Sequence, residues 1–102
     1  MAVTYQITFD IQPGKRADFL ALLTPVLDAM RHEPSFVSAQ LFQDPEASDR
    51  LRLIETWSDH EEVITVQIHR PYRAAYMAAL PELLNHPRHI EVWKPLRADH
   101  TQ

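Results

Sequence analysis

Val3-Thr4-Tyr5-Gln6-Ile7-Thr8-Phe9-Asp10-Ile11 is the stretch on which the fold turns. Val3, Tyr5, Ile7, Phe9 and Ile11 project to one side of an extended chain, and Thr4, Gln6, Thr8 and Asp10 project to the other. A repeat of two, rich in β-branched and aromatic residues, specifies a strand with one buried face. Pro13-Gly14 breaks it, and Gly14 is the only glycine in the chain.

From there the spacing changes to that of a helix. Over 15–32, Phe19, Leu22, Leu23, Val26, Leu27 and Met30 form one apolar stripe, with Lys15, Arg16, Asp18 and Asp28 mostly opposite. Pro25 should kink or divide this helix, because it lacks a donor and clashes with the preceding turn. Glu33-Pro34 ends it. Strands are predicted at 36–43 and 50–57, joined by a polar hairpin loop over Asp44–Asp49. On the second of them Leu51, Leu53, Glu55 and Trp57 share a face. Ser58-Asp59-His60-Glu61 reads as a capping box with Ser58 as the cap, opening a helix over 59–68. Pro71 opens another over 72–84, and Asn85-His86-Pro87 stops it. A last strand follows at 89–96, with Ile90, Val92 and Lys94 opposite His89, Glu91 and Trp93.

The order β-α-β-β-α-β, with its second helical part split, is the ferredoxin-like α+β arrangement: a four-stranded antiparallel sheet with helices on one face. The other face must be solvated or covered by a partner. Phe36 or Phe42, together with Trp93, should lie there, and such aromatics make a homodimer the expected state. The 102 residues fit one domain, with a core over about 3–96 and a tail at 97–102.

With no cysteine, disulfides, thiol nucleophiles and iron–sulfur clusters are excluded. A net charge of -4 gives no electrostatic reason to expect nucleic acid or an anionic membrane as partner. His86 and His89, with His32 and His60 elsewhere, supply no recognisable ligand set, so no metal is expected. The opening Met1-Ala2-Val3-Thr4-Tyr5 alternates at once, without a basic or apolar leader, and no stretch reaches membrane-span length. A cytoplasmic protein is the expectation.

The opening strand with Pro13-Gly14, then Glu33-Pro34, Glu55-Thr56-Trp57-Ser58, and Pro71-Tyr72-Arg73-Ala74-Ala75-Tyr76, resembles the pattern of antibiotic-biosynthesis monooxygenase domains across about 3–96. Glu-x-Trp ahead of a capped helix, and then a proline-opened helix with tyrosine, is its most specific part. The resemblance implies a dimeric α/β barrel with an apolar cavity between sheet and helices. It also implies oxidation of a small hydroquinone- or anthrone-like aromatic by O2 with no cofactor. Quinol-oxidising members often carry two histidines here, at the positions of Gln67 and Tyr72, with His69 between them. At the positions that serve haem-degrading members stand Gln6, Gln67 and Tyr76, which places haem behind the cofactor-free reading.

Oxidising an electron-rich phenol without metal or flavin requires an apolar cavity, a group that takes the phenolic proton, and hydrogen bonds that orient the ring. Trp57, Tyr72 and Tyr76 are candidates to wall and orient the ring, and they would equally serve as core aromatics. His69 is a candidate base. Glu55 falls on an inward face, where a carboxylate must be paired or protonated. Arg52, Arg73 or a backbone donor are the groups expected to hold it. The alternative function is a non-catalytic small-ligand binder or structural barrel, motivated by the absent histidines.

Overall fold

The computed structural model describes residues 1–101. Strand β1 (Val3–Asp10) has a strictly alternating burial pattern, as its period-two sequence requires. It lies inside a sheet of order β2-β3-β1-β4, flanked by antiparallel β3 (Ala47–Trp57) and β4 (His89–Trp93); β2 (Phe36–Asp44) closes the edge beyond β3. Helices α1 (Arg16–Met30), α2 (His60–Thr65) and α3 (Ala74–Leu83) cover one face, with two 3₁₀ turns, Gln67–His69 and Pro71–Arg73, between the last two. This is the expected ferredoxin-like β-α-β-β-α-β topology. Among the described residues no helix is long and apolar enough to cross a membrane.

The core lies between that face and the helices. Phe9 and Phe19 are fully buried with ring centroids 4.8 Å apart, and Phe19 reaches Tyr76 at 6.3 Å. Burying each such side chain stabilises the fold by about 1.5–3 kcal/mol, so these rings are the rivet joining β1, α1 and α3.

Several boundaries differ from the sequence expectation, each for a local reason. Helix α1 passes through Pro25 undivided. Pro25 and Ala21, whose carbonyl loses a donor, are both exposed, so that carbonyl is open to solvent and the helix continues. The hairpin loop shrinks to Pro45-Glu46, because Asp44 pairs with Ala47 and its Oδ1 accepts from the Glu46 amide at 2.9 Å. Asp59, not Ser58, caps α2, its carboxylate accepting from the amides of Glu61 and Glu62. That helix stops at Thr65, since Val63-Ile64-Thr65-Val66 is a β-branched run with low helix propensity. Strand β4 ends at Trp93 opposite Thr4, where β1 has almost run out of residues to pair with.

One aromatic changes sides. Phe36 faces the helices, half-buried and packed edge-on against Trp57 at 5.4 Å, because a register shift between Phe36 and Ser38 lets Val37 bulge. Phe42 and Trp93 do lie on the helix-free side, 45% and 55% exposed.

Candidate functional site

The side chains of β3 alternate so that Leu51, Leu53, Glu55 and Trp57 all point toward the helices and are buried. Register sets Tyr5 directly opposite Glu55 on β1, and Ile90 opposite Ile7 on β4. Above this floor, α1 presents Leu23, Val26 and Met30. Val63, Ile64 and Ile68 come from the α2 region, Tyr76 from α3, and Arg73 and Arg88 complete the lining. Together they enclose a cavity of about 130 Å³. That is slightly below the roughly 150 Å³ of a cavity known to accept benzene, which puts it on the scale of a single aromatic ring. Gln6 projects from the opposite face of the sheet, so the three positions that serve haem-degrading members do not converge on this cavity.

Glu55 is 6% exposed, and its Oε1 accepts a hydrogen bond from Trp57 Nε1 at 3.2 Å. Burial pushes its carboxyl above the usual glutamate range; the Trp57 hydrogen bond and the charges of Arg73 and Arg88 pull part of the way back. Among the described residues neither arginine forms a direct ion pair with it. Burial likewise raises the phenol of Tyr76, against the lowering charge of Arg88, whose guanidinium carbon lies 6.0 Å from the ring centroid. Tyr5 is raised by burial and by Glu55. Near neutral pH both phenols therefore stay protonated and can donate, while Glu55 is a carboxyl biased toward accepting a proton. Arg73 Nε is buried without a partner, which leaves a donor free at the cavity wall.

Of the residues singled out from the sequence, Glu55, Arg73 and Tyr76 line this cavity together. Trp57 stands behind Glu55, fully buried, and holds it in place without forming the wall. Tyr72 is elsewhere: its hydroxyl lies 3.5 Å from both Glu33 Oε1 and Gln67 Oε1. Gln67, 1% exposed, donates through Nε2 to the carboxylates of Glu33 and Glu62, and Arg70 donates to Glu33 at 3.1 Å. This polar cluster ties the end of α1 to the 3₁₀ turns. His69 is exposed outside the cavity, because its tight turn gives Ile68 to the cavity and Gln67 to the polar cluster. Arg52 lies on the far side of the sheet, where its Nε donates to Thr8 Oγ1 at 3.3 Å; strand alternation keeps it from Glu55.

Three residues of the site were not picked out from the sequence. Tyr5 was legible as an inward residue of β1, but its pairing with Glu55 needed the register. His60 stands in the sequence as part of a helix start and as one of the scattered histidines that form no ligand set; its Nδ1 is 2.7 Å from the Tyr5 hydroxyl. Arg88 follows Pro87 in an irregular link, where no periodicity points to a face. No cluster of three or more metal-ligating side chains occurs among the described residues.

The profile of the family described as antibiotic biosynthesis monooxygenase matches residues 2–75. A protein of Pestalotiopsis microspora, named as a candidate monooxygenase, is 28% identical over 93 residues, covering 90% of this chain and 78% of the relative. Rv0793 from Mycobacterium tuberculosis superposes with a TM-score of 0.87 at 24% identity, over 98% of this chain and 100% of that one. SnoaB, a cofactor-independent oxygenase from Streptomyces nogalater, superposes with a TM-score of 0.79 at 18% identity, over 95% of each chain. At such identities the two solved structures speak for the fold alone.

Proposed function

Since the chain belongs to the antibiotic biosynthesis monooxygenase family, we propose that it is a cofactor-independent monooxygenase acting on a small hydroquinone- or anthrone-like aromatic. The observation that carries this reading is the cavity itself. It has apolar walls and the volume of one ring, and it holds a buried carboxyl, two guanidinium groups and two phenols. Its size favours a single-ring hydroquinone over a three-ring anthrone.

In this reading the carboxylate of Glu55 takes a hydroxyl proton from the substrate. Arg73 and Arg88 stabilise the resulting phenolate, and Tyr76 orients it by donating a hydrogen bond. The electron-rich anion gives one electron to O2, and the resulting phenoxyl radical and superoxide combine at a ring carbon. The O–O bond then breaks as that carbon becomes a carbonyl and loses its hydrogen. One oxygen stays in the product and the other leaves as hydroxide, which recovers a proton to become water. For hydroquinone the sum is hydroquinone plus O2 giving hydroxyquinone plus water. All four electrons that reduce O2 come from the substrate, so no external reductant enters.

The proposal includes a homodimer formed through the helix-free face of the sheet, where Phe42 and Trp93 stand exposed. The deciding experiment is oxygen uptake by metal-stripped protein with hydroquinones and anthrones, against a no-protein control for autoxidation. Protein-dependent uptake that disappears in Glu55→Gln supports the assignment. Thermal stabilisation by the same phenols with no uptake would replace it with a ligand-binding function.

A further inference from the structure

The Tyr5–His60 pair has no part in the chemistry above, yet it joins the cavity to the protein surface. Tyr5 lines the cavity and is 8% exposed. Its hydroxyl lies 2.7 Å from His60 Nδ1, and the two rings are 5.9 Å apart. His60 does not line the cavity; it opens α2 at a partly exposed position, held by its own amide donating to the Met1 carbonyl at 2.8 Å. Tyr5 and Glu55 are cross-strand neighbours on the same face of the sheet. The cavity floor thus offers two adjacent proton acceptors: a carboxylate, and a phenol backed by an imidazole.

We infer that Tyr5, with His60 acting through it, takes the second hydroxyl proton of a dihydric phenol, so that this site is built for hydroquinones rather than for monophenols. This rests on the oxygenase reading above. With His60 neutral and its proton on Nε2, Nδ1 accepts from the Tyr5 hydroxyl. As the Tyr5 proton passes to Nδ1, the Tyr5 oxygen accepts the proton of the second substrate hydroxyl. Tyr5 ends neutral, His60 ends as imidazolium, and the substrate becomes a dianion. After O2 has reacted, the two stored protons return, one to the departing hydroxide and one to the hydroxyquinone anion, which restores Glu55 and His60. A dianion gives up its first electron more readily than a monoanion, so the pair raises the rate of the step on which oxygenation depends. A monophenol has no second proton to give and gains nothing from it.

The test compares oxygen uptake with hydroquinone and with its monomethyl ether, 4-methoxyphenol, in the full-length wild type, Tyr5→Phe and His60→Ala. A positioned base contributes roughly 10²–10⁴-fold, so the wild type should prefer hydroquinone by at least about 100-fold. In both variants the preference should fall to within about tenfold through loss of the hydroquinone rate alone, and added imidazole should restore part of it in His60→Ala. Variants that keep the wild-type ratio would overturn the role of the pair while leaving the oxygenase reading intact. If the wild type takes up oxygen with neither phenol, the oxygenase reading falls, and the pair is judged by anaerobic NMR. Hydroquinone that shifts the His60 ring resonances in the wild type but not in Tyr5→Phe supports the contact; resonances that stay put in both overturn it.

Discussion

Trp57 Nε1 and Glu55 Oε1 meet at 3.2 Å between residues two apart on one face of β3, so the strand itself aims the only hydrogen bond made to its buried carboxyl among the described residues. Trp57 is fully buried and its ring is braced by Phe36. Two neighbours cannot adjust independently when both are locked into the core. Glu55 is held where it is by packing, although its burial opposes ionisation.

That opposition has a signed consequence. The folded-state pKa of Glu55 lies above its unfolded value of about 4.3. Below that value both states are protonated and the residue has no pH-dependent effect. As pH rises toward the folded pKa the unfolded chain loses its proton first, so the contribution of Glu55 to stability falls and then levels off. Glu55→Gln keeps an acceptor for Trp57 and removes the ionisation. Its Tm should match that of the wild type near pH 4 and exceed it by several degrees at pH 8. A difference that is flat across this range in thermal melts would contradict the assignment.

A second expectation concerns the cluster around Gln67, which is 1% exposed and bridges two carboxylates. Gln67→Leu retains the volume and strips both donated hydrogen bonds; Glu33 keeps Arg70, while Glu62 loses its only side-chain donor among the described residues. Unpaired buried polar groups cost about 1–3 kcal/mol each. Chemical denaturation should show a loss in that range, while oxygen uptake per folded molecule changes little, because the cluster lies beside the cavity and not in it. A large fall in activity with unchanged stability would mean that the cluster touches substrate after all.

The strand pattern made the sheet and the inward carboxylate legible from the residues alone. The alternation that turns Glu55 inward also turns Arg52 outward, so period two had already separated these residues. What the sequence could not convey was contact between distant segments. Tyr5 meets Glu55 only through register, and Arg88 enters the wall from a link with no repeat. Ile68, and not His69, reaches the cavity because a 3₁₀ turn interrupts the helix, and the interruption follows from β-branched crowding that a capping motif does not report. The cap itself moved by one residue, since aspartate accepts from early amides as well as serine does.

Cavity volume supplies a third expectation. Val26 faces the space from α1, and a phenyl group in its place would occupy much of about 130 Å³. Val26→Phe should weaken binding of single-ring phenols at least tenfold. Because it fills existing space, it should avoid the usual overpacking penalty of about 1–3 kcal/mol. Calorimetric titration with hydroquinone and a thermal melt check both halves. Unchanged affinity would place the binding site elsewhere, and the alternative to examine is the shallow depression of about 430 Å³ on the far face, beside Phe42 and Arg52.

The last expectation concerns that far face. Trp93 and Phe42 present large apolar surfaces there at opposite edges of the sheet, on the strands farthest from each other in the order β2-β3-β1-β4. Ile54 lies between them on β3, partly exposed. Apolar groups spread across a sheet face are a contact area rather than a single sticky point, and a symmetric partner would cover all three at once. Sedimentation at micromolar concentration should therefore show a dimer. Trp93→Glu would place two like charges in the same small interface and should shift the species to monomer. The cavity lies on the opposite side of the sheet and is lined within one subunit, so the monomer should still bind phenols. A wild-type monomer would refute the interface. A dimeric Trp93→Glu would move the contact away from β4, and loss of phenol binding on dissociation would show that the partner shapes the site.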